Sequence, residues 1–132
     1  MSAKEKMLLV DGDEGIRKAL SLFFDSRNYL LHTVENGTQA LLATKKELYD
    51  IIICEQLLPD MNGLNFFELL NKRQYEGIKI LITLYGNNPS REDLNDKGID
   101  YLLTKPFSGD EIEETIISLI NSKSINTGSK CT

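Results

Sequence analysis

Cysteine and histidine are scarce in this chain, and positive charge is in deficit. The two cysteines are Cys54, inside an apolar run, and Cys131, in a polar tail. That placement makes neither a disulfide framework nor a zinc-ligand spacing. Cys54 reads as a small core residue, and a cytoplasmic address follows as the default. His32 is the only histidine and has no Cys or His nearby in sequence, so it lacks the company of a metal ligand or a catalytic base. No apolar run approaches the ~18 residues of a membrane span. The opening "MSAKEKMLLVDGDEG" carries an apolar run of strand length that ends in acids, which is not the pattern of a signal peptide. Fifteen Lys and Arg stand against 20 Asp and Glu, for a net charge of −5. That balance argues against a nucleic-acid or anionic-membrane surface. There is no internal repeat and no low-complexity tract. No basic recognition helix or Gly-rich nucleotide loop follows residue 123, so the chain is expected to dock alone or to be one domain of something longer.

What the chain does have is an alternation. With 132 residues it can bury one core but not two ordinary ones. Apolar runs of strand length at 6–11, 29–34, 49–55, 78–84 and 100–104 alternate with helical patterns at 14–27, 36–47, 63–74, 90–98 and 109–123. In the first helix Ile16, Leu20, Phe23 and Phe24 share a face, with Asp13 as its cap. In the third, Leu64, Phe67, Leu69 and Leu70 are expected inward. In the fifth, Ile112, Ile116, Leu119 and Ile120 have the right spacing. Gly98 is expected to stop the weak, polar fourth helix. Continuous apolar strands are those buried on both faces, so five βα units imply a parallel sheet with helices on both sides. The tail from 123 to 132 is expected to be polar and disordered.

Such sheets bind ligands beyond the carboxyl ends of their strands. Strand one releases Asp11, Gly12 and Asp13, strand three Glu55, strand four Thr83, and strand five Lys105 followed by Pro106. Two carboxylates, a hydroxyl and an ammonium on one edge suit a phosphoryl group or a cation.

"LLVDGDEGIRKAL", "DIIICEQLLPDMNGL", "ILIT" and "GIDYLLTKPF" together resemble the receiver domain of two-component response regulators, over about residues 5–122. The resemblance implies a flavodoxin-like three-layer α/β sandwich, with a sheet in the order 2-1-3-4-5 and five flanking helices. It also implies an aspartate that takes a phosphoryl group from a histidine kinase with Mg²⁺ present. Counting back four residues from Pro59 reaches the phosphoacceptor position, where this chain has Glu55. Asp11 keeps the first acid of the family's acidic pair, and Gly12 stands where the second, a direct metal ligand, belongs. Thr83 and Lys105 keep the phosphoryl-pocket positions. Leu84 follows the hydroxyl, where the family has a small residue. The switch positions are Thr83 and Leu102, the latter aromatic in the family, with Tyr101 displaced by one and Tyr85 a possible substitute.

These departures give three expectations. The first is an atypical, phosphorylation-independent receiver that works by protein–protein contact. In it Asp11 and Glu55 hold Mg²⁺ weakly or not at all, so no cofactor is expected. Glu55 accepts hydrogen bonds from Lys105 and Thr83, standing in for a phospho-aspartate. The partner, a sensor kinase or a downstream target, would meet a face of about residues 90–120. The second is a working phosphorelay receiver that uses Glu55, or the loop residue Asp60, with Mg²⁺. The third is a phosphatase of the haloacid-dehalogenase type, with Asp11 as nucleophile and Asp13 as general acid. Gly15 and the lack of a later acidic motif speak against the third, and helix capping is the plainer role for Asp13.

Overall fold

The computed structural model describes residues 4–131, with side chains described to residue 123. Five parallel strands, β1 (Glu5–Val10), β2 (Tyr29–Val34), β3 (Ile51–Glu55), β4 (Ile78–Leu84) and β5 (Tyr101–Lys105), form one sheet in the order β2-β1-β3-β4-β5. The helices are α1 (Glu14–Asp25), α2 (Gly37–Lys46), α3 (Gly63–Lys72), α4 (Arg91–Asp96) and α5 (Gly109–Cys131). The helices on both faces of a parallel sheet are those the sequence pattern implied, and the strand order is the one the family resemblance implied. The tail expected at 123–132 falls almost wholly outside the residues whose side chains are described.

Strand side chains alternate between faces, and here both faces are covered. Met7, Leu9, Ile51, Ile53, Ile80 and Ile82 point to one side and meet Leu20 and Phe24 of α1 and Ile112 and Ile116 of α5. Leu8, Val10, Ile52, Cys54 and Leu81 point to the other and meet Ala40 of α2 and Phe66, Phe67 and Leu70 of α3. Every one of these residues is buried, which is why the strands read as unbroken apolar runs. Cys54 is one of them, and burial pushes its thiol well above the usual range.

The helix starts are fixed by side chains. Asp13, Asn36, Asn62 and Ser90 each accept an amide of the first turn of α1, α2, α3 and α4, an interaction worth ~1 kcal/mol each. Asp13 is thus a cap, as expected. Gly98 follows α4 at φ +68°. One face was assigned incorrectly from sequence. Leu69 turns outward, 38% exposed, and Phe66 takes the inward place beside Phe67 and Leu70. Positions 66, 67 and 70 share one stripe with Gly63, whose missing side chain lets α3 start against the Glu55 carbonyl.

Candidate functional site

The strand order brings the ends of β1, β3, β4 and β5 together on one edge. Asp11 leaves β1 directly and is fully buried. Its Oδ1 accepts the Asp13 amide at 2.8 Å, and its backbone carbonyl accepts Arg17 Nη1 at 2.7 Å. Its Oδ2 is buried with no hydrogen bond and lies 3.3 Å from Lys105 Nζ. Lys105, the last residue of β5, donates to Glu55 Oε1 at 2.7 Å. The remaining Glu55 oxygen, Oε2, accepts the Gly12 amide at 3.1 Å. The ammonium therefore sits between the two carboxylates, and all three side chains are largely sheltered from solvent.

Burial pushes the Asp11 carboxyl above the usual aspartate range, and the Glu55 charge adds to that push. The Asp13 amide and Lys105 pull the other way without prevailing. For Lys105, burial favours the neutral amine. The hydrogen bond to Glu55 and the charges of Asp11 and Glu55 outweigh it and hold the ammonium above the usual lysine range. The cluster carries two anions and one cation.

Thr83 is buried near the end of β4, and contrary to the sequence expectation its hydroxyl does not bond Glu55. Its hydroxyl donates to Gln56 Oε1 at 2.7 Å, with the Asn87 carbonyl at 3.1 Å as the next acceptor. Gln56 was not singled out from the sequence. An amide following the strand-end acid gave no periodic or charge signal, and only its rotamer reveals the contact. The crevice lined by Glu55, Gln56, Thr83, Leu84 and Lys105 has a volume of about 10 Å³. That is room for about one water molecule.

The other candidates lie apart from this cluster. Asp60 accepts the Gly37 amide at 2.8 Å, the Thr38 amide at 2.9 Å and the Thr38 hydroxyl at 2.7 Å. Those bonds hold its carboxyl below the usual range. It ties the β3–α3 loop to the start of α2. Leu102, partly buried, packs among the α3-side core residues, while Tyr101 is 42% exposed and Tyr85 stands out at 90%. Leu84 borders the crevice and also an apolar groove of about 600 Å³ formed with Ile16, Ala19, Phe23, Pro106 and Phe107. Among the described residues no group of three or more His, Cys, Asp or Glu is placed to hold a metal, and no helix is long and apolar enough to cross a membrane.

Comparison with known proteins identifies the family and the fold. The family model of the response regulator receiver domain matches residues 7–117. The transcriptional regulatory protein GlrR of Escherichia coli K12 is 31% identical over 110 residues, which are 83% of this chain and 25% of that protein. Sporulation initiation phosphotransferase F of Bacillus subtilis 168 is 32% identical over 123 residues, 91% of this chain and 97% of that protein. The chain thus spans only a quarter to a half of the length of the matched transcriptional regulators GlrR and ResD. Two solved structures show the same fold. A CheY-like receiver domain protein from Methanospirillum hungatei superposes with a TM-score of 0.83 at 20% identity, covering 94% of this chain and 99% of that one. Chemotaxis response regulator CheY4 of Vibrio cholerae gives 0.77 at 24%, covering 88% and 98%. With the family model matched along most of its length, the chain belongs to the response regulator receiver domains of two-component signalling systems.

Proposed function

We propose that this receiver is a docking module whose state does not depend on phosphorylation. The observation that carries the reading is the position of Lys105 Nζ, 2.7 Å from Glu55 and 3.3 Å from Asp11. Receiver domains are signalling modules that bind Mg²⁺ at the phosphorylation site and act through kinases and downstream effectors. Mg²⁺ demands near-octahedral oxygen ligands and gives up its waters reluctantly. The residues here do not fit it. Two carboxylates remain, Gly12 supplies no third, and an ammonium already lies between the two. No step is therefore routed through a metal.

A phosphoryl donor would bring further negative charge to a cleft that already holds two anions and one cation. Like charges at a shared site repel, by about 4 kcal/mol per pair at 4 Å under a near-surface dielectric. Space argues the same way, since the crevice of about 10 Å³ beside Glu55, Thr83 and Lys105 offers no enclosed room for a phosphoryl group. Both Glu55 oxygens already accept hydrogen bonds, which blunts them as nucleophiles. Glu55 serves instead as a fixed charge that anchors Lys105.

The partner, a sensor kinase or a downstream target, is assigned to the face of about residues 90–120. A groove of about 570 Å³ supports this, with Pro89, Arg91, Leu94, Ile99, Tyr101 and Leu102 in its lining. A lining that mixes apolar and polar residues suits a protein surface. Incubation with Mg²⁺ and acetyl phosphate, followed by intact mass spectrometry, tests the reading. The expected result is an unmodified mass. A stoichiometric, base-labile adduct on Glu55 or Asp60 would establish a working phospho-acceptor instead.

A further inference from the structure

The turn after β4 hangs on a hydroxyl that the Glu55 cluster does not use. Thr83 is 2% exposed and meets three oxygens: Gln56 Oε1 at 2.7 Å, the Asn87 carbonyl at 3.1 Å and the Leu84 carbonyl at 3.4 Å. A hydroxyl has one proton to donate, and the shortest contact is to the Gln56 amide oxygen. Gln56 is itself anchored. Its amide donates to the Ile82 carbonyl at 2.7 Å and its carbonyl accepts the Gly63 amide at 2.7 Å. The side-chain oxygen is therefore presented from a fixed backbone.

Beyond Thr83 the chain turns tightly. The Asn87 amide closes onto the Leu84 carbonyl at 3.0 Å, and Gly86 has φ +90°. A positive φ at the third position is what a type II turn requires, and glycine supplies it without strain. The tip has almost no packing. Tyr85 is nearly fully exposed, Leu84 is 48% exposed, and a Cβ at Gly86 would meet nothing within 4 Å. A turn this bare takes its position from its base, where β4 pairs with β5 as far as Leu84 and Lys105 and the Thr83 hydroxyl meets Gln56.

We propose that Gln56 is a positioning residue that latches the β4–α4 turn. Its oxygen fixes the Thr83 rotamer, Thr83 fixes the turn against β3, and the turn displays Leu84 and Tyr85 in one arrangement. The latch stands beside the Asp11–Glu55–Lys105 cluster and shares no hydrogen bond with it. This deepens the reading of a fixed docking module, on which it rests for its purpose though not for its geometry.

Amide exchange followed by NMR on the whole chain tests the latch. Gln56→Met keeps the stem and removes the amide acceptor, Thr83→Val removes the hydroxyl, and Thr83→Ser retains it. Gln56→Met and Thr83→Val should each speed exchange of the Asn87 amide about fivefold, the worth of one hydrogen bond, with rates in β1 and β3 unchanged. Thr83→Ser should stay within about twofold of the native rate, and the Gln56→Met, Thr83→Val pair should be no faster than either alone. An unchanged Asn87 rate, a rise spread over the whole chain, equal effects of Val and Ser, or additive effects would overturn the latch. A phosphoryl adduct on Glu55 would sink the functional reading above while leaving these rates as they are.

Discussion

Glutamate reaches one methylene further than aspartate, and in this chain the added reach ends at the Gly12 amide, 3.1 Å from Oε2. A Cβ at position 12 would lie in ordinary contact, 3.8 Å from that same oxygen and 3.5 Å from Pro59, so the two positions adjoin. Glu55 and Gly12 are therefore understood best as a pair. The cost of the arrangement falls on Asp11, a buried carboxylate whose native pKa is raised. An acid with a raised native pKa destabilises the fold at neutral pH. The penalty fades as pH falls through the raised value towards about 3.9, the unfolded value. Asp11→Asn keeps an oxygen for the Asp13 amide and removes the charge. Its melting temperature at pH 7 should exceed that of the native protein, with the gap closing near pH 4. Lys105→Met does the opposite, leaving two sheltered carboxylates facing each other. Urea unfolding at pH 7 should show a loss of about 3 kcal/mol, the low end for a broken buried pair because Glu55 keeps some exposure, and acidification should restore part of it. That Asp11, Glu55 and Lys105 meet was legible, because each ends a strand and a parallel sheet gathers strand ends. The partner of Thr83 was not, because it depends on the rotamer of a neighbour that carries no pattern.

At the scale of the elements, periodicity identified every strand and helix and missed details that packing decides. The third helix is the instructive case. Phe66, Leu69 and Leu70 are all large and apolar, and the stripe that begins with Gly63 against the Glu55 carbonyl runs through 66, 67 and 70, which leaves Leu69 outside it. Phe67→Ala, which empties a fully buried site, should cost about 3–5 kcal/mol in urea unfolding. Leu69→Ala should cost far less, and equal losses would contradict the assigned face. Asp60 belongs to this scale too, as the tie between the β3–α3 loop and α2. Its carboxyl is held below the usual range, so its contribution is complete above about 3.9 and disappears as pH falls through the lower native value. Amides at the start of α2 should lose exchange protection in that window in the native protein. In Asp60→Asn they should be less protected at pH 7 already, and a variant as protected as the native chain would remove the tie from the account.

The whole molecule combines a conventional frame with an altered edge. The frame was readable because both faces of the sheet are buried, and that demand writes itself into the sequence as unbroken apolar strands. The edge was readable only in its inventory, since charge balance among three side chains depends on distances that no sequence pattern states. Its central proposed feature is that one ammonium bridges the two carboxylates where a typical receiver recruits a metal ion. A magnesium titration followed by amide chemical shifts measures this directly, with the native protein beside a Gly12→Asp, Glu55→Asp double mutant. The native protein should show no saturable shift at the ends of β1, β3 and β5, while the double mutant binds and saturates. Saturable, sub-millimolar binding to the native cleft would contradict the account.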